Sequence, residues 1–393
     1  MPVEIVPVSN KKELERFIRV PMRLGADDPN YIAPLMFERR EALSPKINPF
    51  FQHADWQFFL ATRDGRDVGR ISAQIDHLAT TDPAVPGGYF GMISAENDPE
   101  VFAALFKTAE DWLRQRGRAR ILGPFNLSIN EEVGLLVDGF DIPPMLMMGH
   151  DPRYVGGRIE EQGYAKEKDV YAYYSSVPTF TAGVESRLKR PPPPGVVVRP
   201  INMKDFDGEV RTLVDIWNDA WAHNWGFAPV TEAETRHLGE SLKLLLHRRL
   251  IWFVEIDGEA AGFGALLPNL NDAIFDLKGK LIPFGWAKLL WRLKVKGVKR
   301  GRVPLMGVKR KFAREARGAF APFLILEAFR REGPKIGITE AEYSWILEDN
   351  GPMRHILESF GARNYKTYRI YGKSLNGERA PAETNGTSEG LTL

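Results

Sequence analysis

Two halves of the sequence run through the same order of predicted elements, and this repetition most constrains how the chain folds. A breaker cluster at 190–195, Arg-Pro-Pro-Pro-Pro-Gly, separates the halves, because proline neither donates to a strand ladder nor continues a helix. With 393 residues in total, each half is long enough to bury a core of its own. We therefore expect an internal duplication, although residue identity between the halves is low.

Periodicity and turn signals predict strand, helix, β-hairpin, strand, helix and strand in each half. These elements fall at 3–8, 11–24, 56–75, 88–94, 99–117 and 120–123 in the first half, and at 196–200, 206–223, 250–267, 303–308, 321–333 and 338–345 in the second. The helix at 99–117 has Asp98 at its cap, Pro99 in its first turn and Gly117 at its end. The pattern predicts an α/β fold with a mixed (α+β) sheet.

The predicted domain boundaries follow from the breaker cluster and from composition. They are an N-terminal domain at 1–176, a Pro-rich linker at 177–195, a C-terminal domain at 196–373 with a basic amphipathic insertion at 275–302, and a disordered tail at 374–393. The tail is rich in Gly, Ser, Thr and Asn, which bury little apolar surface.

The chain contains no cysteine, which excludes disulfides, a thiolate nucleophile and cysteine-ligated metal or iron–sulfur sites. No uncharged stretch approaches the roughly 18 residues of a spanning helix, and acid follows Met1 within a few residues. We therefore expect a cytoplasmic protein, either soluble or peripheral on the inner membrane.

The net charge of +2 conceals a basic segment between Asp276 and Gly318. This segment has fourteen Lys and Arg against two acidic residues, so it carries +12 and leaves −10 for the rest of the chain. Such a segment predicts a polyanionic partner.

The strand-to-helix loops of the two halves carry opposite charge. The loop at 94–100 has three acidic residues and no glycine, whereas the loop at 309–318 has five basic residues, one acidic residue and a glycine. Because backbone N–H groups and the helix dipole attract anions at such a junction, only the second loop suits a phosphorylated cofactor.

The order of predicted elements in each half resembles the GNAT acyltransferase superfamily, and so does the spacing of eleven residues between Asn350 and Gly361. The resemblance implies two tandem GNAT-like domains, acyl-CoA as co-substrate bound by the second domain, a first domain degenerate for CoA, and no metal. It implies a CoA site at Gly307, Val308, Lys309, Arg310, Arg314, Arg317, Gly318, Ala319 and Asn350. The tyrosine acid that the family often carries on its last helix is replaced by Leu357.

Three stretches, 123–140, 217–227 and 342–350, are similar to a bacterial GNAT-like group that includes the bacterial ceramide synthases. The resemblance implies an acyl-CoA-dependent N-acyltransferase that transfers a fatty acyl group to the amine of a long-chain sphingoid base. Two alternatives stay open, a tandem acetyltransferase for a small polar amine and a non-catalytic acyl-CoA-binding protein at a membrane surface.

Acyl transfer to an amine needs a base for the ammonium and a donor for the oxyanion. The candidate proton acceptors are Glu342, Glu348, Glu131 and His223, and ordinary surface or capping roles stay open for each. A backbone N–H near Gly307 is the candidate oxyanion donor. The candidate substrate-binding residues, for which core packing is the alternative, are Trp217, Trp221, Asn224, Trp225, Phe227 and Trp345.

The stretch 281–295 mixes apolar and aromatic residues with Lys288, Arg292 and Lys294, as in a helix that lies on an anionic bilayer. We expect a lipid-like acceptor and an anionic membrane surface as partners, with a basic helix packed on its own domain as the alternative. Nucleic acid is not expected, because no recognised reading module accompanies the basic residues.

Overall fold

The computed structural model describes residues 1–79, 84–176, 180–241 and 247–376, which form two compact units. Unit 1 contains Met1–Asp169, Ile274–Gly285 and a segment that begins at Thr367. Unit 2 contains Val170–Ala273 and Trp286–Lys366. Each unit has a mixed sheet with helices, so the predicted α/β fold class is confirmed.

The sheet of unit 1 is mostly antiparallel. Its strands are β1 (Glu4–Pro7), β2 (Ala54–Arg63), β3 (Arg66–Asp76), β4 (Gly87–Ala95), β5 (Arg120–Gly123) and β8 (Leu135–Asp138), while β6 (Phe125–Asn126) and β7 (Glu132–Val133) form a separate ribbon. The order is β1-β2-β3-β4-β5, and within it only β4 and β5 are parallel. The hairpin predicted at 56–75 is therefore β2–β3.

The helices of unit 1 are α1 (Lys11–Leu24), α2 (Met36–Ala42), α3 (Pro99–Arg114) and α4 (Tyr154–Glu160). The N-terminal capping signal of α3 acts as predicted, because the Asp98 side chain accepts a hydrogen bond of 2.9 Å from the N–H of Glu100. The helix ends at Arg114, three residues before the predicted Gly117, with Gln115 as its C-cap. The apolar face of α3 is buried in one core with Ile71 of β3. Full burial of a side chain such as Phe102 stabilises the fold by about 2 to 3 kcal/mol.

Unit 2 repeats this strand order. Its strands are β10 (Val196–Pro200), β11 (Ile251–Ile256), β12 (Glu259–Pro268), β13 (Arg300–Val308) and β14 (Glu340–Leu347). The order is β10-β11-β12-β13-β14, and only β13 and β14 run parallel. The duplication predicted from the element order is thus visible in the two sheets.

The longer helices of unit 2 pack on its sheet. The remaining α-helices are α5 (Ala182–Leu188), α6 (Phe206–Trp221), α7 (Glu232–Ser241), α8 (Asn271–Ile274), α9 (Gly285–Trp291), α10 (Arg310–Ala313), α11 (Ala316–Ala319), α12 (Ala321–Glu332) and α13 (Gly351–Ser359). Close approach of α12 requires Gly264 on β12, where a Cβ would lie 2.5 Å from the side chain of Ile325.

The sequence halves exchange their last strands. From Val170 onward, β9 (Ala165–Ser175) belongs to unit 2, where it pairs antiparallel with β14. From Thr367 onward, β15 (Arg363–Ser374) belongs to unit 1, where it pairs antiparallel with β5 and β8. The domain boundaries at 1–176 and 196–373 stay a prediction, and the compact units do not follow them strand for strand.

The three irregular regions predicted from composition differ in outcome. Part of the linker is the helix α5, and its residues 177–179 lie outside the described residues. The insertion contributes Ile274–Gly285 to unit 1 and continues in unit 2 through α9. Ser374 and Leu375 of the predicted tail are part of the fold, with Leu375 buried, whereas the tail from 377 lies outside the described residues.

Within the described ranges, no helix combines the length and the apolar composition that a membrane crossing requires.

Candidate active site

The parallel pair β13–β14 in unit 2 opens after four registered residue pairs. Pairing runs from Arg300↔Glu340 to Val303↔Tyr343. Beyond that point β13 continues with β12 as its partner, while β14 continues with β9. Among the described strands, none pairs with the β14-facing edge of β13 beyond Val303. Backbone groups on this edge are therefore available to a ligand.

A buried polar network lies on β14 where the strands separate. Glu342 is fully buried and accepts a hydrogen bond of 2.6 Å from Ser344 Oγ and another from the hydroxyl of Tyr365. Arg302 of β13 is 1% exposed, and its Nε lies 3.5 Å from Glu342 Oε1 and 2.8 Å from Ser344 Oγ. Each charge is thus compensated by an opposite charge and by hydrogen bonds.

Aromatic rings surround this network. The Arg302 guanidinium lies 4.8 Å from the ring centroid of Trp345, a residue of the predicted substrate set. Tyr365 packs against Tyr174 at 5.3 Å between centroids, and Tyr174 donates to Glu340. Burial, followed by the hydrogen bond to Glu340, raises the pKa of Tyr174. Two phenols on one side of the network are therefore each held against a carboxylate.

Tyr365, Ser344 and Arg302 were missed by the sequence analysis. One signal was available, because Glu342 and Ser344 are two apart on a predicted strand and so project from one face. Arg302 and Tyr365 carried no such signal, since their place opposite Glu342 depends on strand register and on the chain path after α13.

The basic loop at 309–318 forms α10 and α11, and several of its cations already have carboxylate partners. Lys309 Nζ lies 2.6 Å from an Asp215 oxygen, and Arg310 pairs with Asp219 at 3.2 Å. Further along the loop, Lys311 pairs with Glu259 at 2.5 Å and Arg317 pairs with Asp257 at 2.8 Å. A phosphate bound here must compete with these carboxylates or bind beside them.

Other residues of the predicted CoA site are placed as follows. Gly318 is buried, and a Cβ there would lie 2.0 Å from the carbonyl oxygen of Phe312, so only glycine allows this loop to close. Arg314 and Ala319 are exposed, and Val308 is buried. Asn350 is buried and caps α13, where its side chain accepts from the N–H of Met353 at 3.1 Å.

Gly307 and two of the predicted substrate residues meet on the helix side of β13. A Cβ at Gly307 would lie 2.5 Å from the ring of Trp221, and the rings of Trp217 and Trp221 are 5.8 Å apart. Trp217 is buried in a core cluster with Phe253 and Phe263. This packing accounts for the glycine and for Trp217, and an acyl-binding role for either tryptophan stays a prediction.

The remaining candidates are dispersed. Asn224, Trp225 and Phe227 lie partly buried in the turn after α6, and His223 is exposed beside Arg310. Glu348 follows β14, where its backbone carbonyl accepts from Arg354 at 2.8 Å. Glu131 is partly buried in unit 1. Of the four predicted proton acceptors, Glu342 is the one held in the network at the strand opening.

Among the described residues, no group of three or more His, Asp or Glu side chains has the arrangement of metal ligands. The absence of a metal in the reaction stays a prediction.

No protein-family model matches the chain. A solved tandem GNAT protein from the clavulanic acid biosynthesis pathway aligns over 96% of this chain and 100% of its own length, with a TM-score of 0.56 and 13% identity. The chain therefore has the tandem GNAT fold that its sequence resembles.

The bacterial ceramide synthase of Caulobacter vibrioides (strain NA1000 / CB15N) is 59% identical over 379 residues, covering 95% of this chain and 98% of the relative. Protein YghO of Escherichia coli (strain K12) is 46% identical over 368 residues, which cover 93% of this chain and 94% of that relative. The chain belongs to the bacterial ceramide synthase family, and it is an N-acyltransferase.

Replacing Glu342 by alanine is expected to lower the free energy of unfolding by about 3 to 5 kcal/mol, because Arg302 would keep a buried charge without its partner. Glu342→Gln retains hydrogen-bonding atoms and the side-chain shape, so it should cost less than the alanine variant. Urea unfolding followed by circular dichroism measures both. Equal stability of wild type and Glu342→Ala would contradict the compensated network.

Proposed function

We propose that this protein transfers a fatty acyl group from acyl-CoA to the amine of a long-chain sphingoid base. Family membership supports N-acylation of a lipid-like amine, since a relative with 59% identity is a bacterial ceramide synthase. The observation that carries the proposal is the opening between β13 and β14 with the Glu342 network beside it.

The open edge of β13 suits the thioester part of acyl-CoA. Pro304 cannot donate a hydrogen bond, because proline has no N–H. In the next residues of β13, 305–308, every second N–H points away from β12 and toward the open edge, as in any extended strand. One of these donors can hold the thioester oxygen as it becomes an oxyanion. The basic loop that follows β13 supplies Arg314 and Arg317 for the CoA phosphates, with Lys309, Arg310, Gly318 and Asn350 as the further predicted contacts.

Proton transfer is proposed to pass through Tyr365 to Glu342. The acceptor ammonium gives a proton to Tyr365 Oη, while the phenol proton passes to the Glu342 carboxylate that it already contacts. The free amine attacks the carbonyl carbon, a C–N bond forms and the C–S bond breaks. The second nitrogen proton goes to the leaving thiolate, so the products are the amide and CoA. Glu348, His223 and Glu131 remain the alternative acceptors.

A short helical segment in unit 2 supports the proposed membrane surface. Along α9 and the helical turn Arg292–Lys296, Trp286 is 55%, Trp291 53% and Val295 73% exposed. Lys288, Lys294 and Lys296 are exposed in the same segment, which contains no acidic residue. Exposed aromatic and aliphatic side chains between lysines suit an anionic bilayer surface, where a water-insoluble acceptor resides.

The first test is catalytic. Purified protein with a fatty acyl-CoA and sphinganine or 3-ketosphinganine is expected to release free CoA, detected with a thiol reagent, and to form an N-acyl product seen by mass spectrometry. Acetyl-CoA with small polar amines is the comparison. A strong preference for acetyl-CoA would favour the small-amine acetyltransferase, and acyl-CoA binding without turnover would favour the non-catalytic alternative.

The second test separates the proposed relay from local packing. Tyr365→Phe is expected to lower kcat about 100-fold, because it removes the proton carrier and keeps the ring. Tyr174→Phe is the matched control, since that phenol also contacts a carboxylate in the same aromatic pair. The relay is wrong if Tyr365→Phe retains kcat, or if Tyr174→Phe loses as much.

The third test concerns the membrane surface. The double variant Trp286→Ala/Trp291→Ala should lose cosedimentation with phosphatidylglycerol-containing vesicles, while Phe37→Ala, which truncates an exposed aromatic in unit 1, should not. Binding should fall at high salt, because part of it is electrostatic. Equal cosedimentation of the double variant and wild type would refute this surface.

A further inference from the structure

The Pro-rich linker has a defined place within unit 2. Its helix α5 packs on the core of this unit through Val184 and Leu188, and the cluster that they join includes Ile325 of α12. Arg187 on the same helix is exposed, and its guanidinium lies 5.1 Å from the ring centroid of Phe320, the residue directly before α12. The linker therefore extends to the start of α12, where the basic loop ends.

A second contact joins the end of the linker to the same loop. The carbonyl of Pro194 accepts a hydrogen bond of 3.4 Å from Arg317 Nη1, and the same nitrogen donates to Asp257 Oδ1 at 2.9 Å. Pro194 is the last of four consecutive prolines, which restrict the conformations open to the backbone here. The linker is therefore held beside the basic loop at two separate points.

Two arginines of the linker differ from the loop cations that are paired with carboxylates. Among the described residues, neither Arg187 nor Arg190 forms an ion pair, whereas Lys189 between them lies 3.8 Å from Glu185. An aromatic ring against the face of a guanidinium leaves the N–H donors at its edge available. The linker thus brings two exposed cations, without carboxylate partners, next to the loop.

An aromatic pair lies beside these cations. The rings of Phe320 and Phe323 are stacked, with 5.5 Å between their centroids and an angle of 24° between their planes. Both rings are partly buried, so part of each remains accessible. Purine bases stack on such aromatic side chains, and phosphates pair with guanidinium groups. This combination fits a phosphorylated adenosine.

We propose that Arg187 and Arg190 bind the 3′-phosphate of acyl-CoA and make the enzyme selective for thioesters that carry this group. The inference rests on the proposed use of acyl-CoA, in which Arg314 and Arg317 take the diphosphate. A phosphate monoester carries a charge of about −1.5 to −2 at pH 7 and three acceptor oxygens, which suit two guanidinium groups. The Phe320–Phe323 pair offers an apolar surface to the neighbouring adenine ring.

The test measures binding of free CoA and of 3′-dephospho-CoA to the full chain by titration calorimetry. The wild type is expected to bind CoA about tenfold more tightly or better, because the 3′-phosphate adds charge-assisted hydrogen bonds. Equal dissociation constants for the two ligands would contradict the 3′-phosphate site and leave the use of acyl-CoA standing. If neither ligand binds, the proposed use of acyl-CoA is wrong, and the 3′-phosphate site is wrong with it.

The double variant Arg187→Ala/Arg190→Ala should reduce the preference for CoA to about threefold or less, because its phosphate contacts are lost. The dissociation constant of 3′-dephospho-CoA should stay at the wild-type value, which separates a lost phosphate contact from altered packing of Phe320. Lys189→Ala, which removes a cation of the same segment that already has a carboxylate partner, is the matched control and should keep the full preference.

Two results with the double variant, its folded content verified by circular dichroism, would overturn the proposal. The first is an unchanged ratio of the two dissociation constants. The second is an equal loss of affinity for CoA and 3′-dephospho-CoA, which would show that the two arginines do not distinguish the 3′-phosphate.

Discussion

The contact between Arg302 and Glu342 is the constraint on which the candidate active site depends. Both side chains are almost completely buried, and they are register partners in the parallel pair β13–β14. Moving either strand by one residue would bring one of the two charges to the opposite face of the sheet, without its partner. The ion pair therefore holds the strands together one residue pair before the last registered pair, Val303↔Tyr343, and so fixes the position of the opening.

The structure changes how the charge of the two strand-to-helix loops is interpreted. The acidic loop of the first half is engaged by arginines, with Asp98 and Glu100 both on Arg63. The basic loop of the second half is engaged by carboxylates, with Arg317 on Asp257 as one example. Each loop is partly neutralised inside its own unit, so the difference in net charge along the sequence overstates the difference in local potential.

The elements were predictable from the sequence, and their partners were not. The helix at 11–24 and the strand at 196–200 were predicted to the residue, since caps, periodicity and proline act locally. The Glu342 network depends on register between strands that are far apart in sequence, and a strand's own composition does not identify its neighbour. For the same reason the predicted C-terminal domain at 196–373 includes β15, although from Thr367 this strand pairs in unit 1.

The exchange of the last strands has a consequence for biosynthesis. A ribosome that has made the whole first half has still not made β15, whose residues 371–374 pair with β5. The nascent N-terminal half must therefore wait with an incomplete sheet edge while roughly two hundred further residues are translated, at about 5 to 20 residues per second. Shielding of that edge from other chains during translation becomes a requirement of this topology.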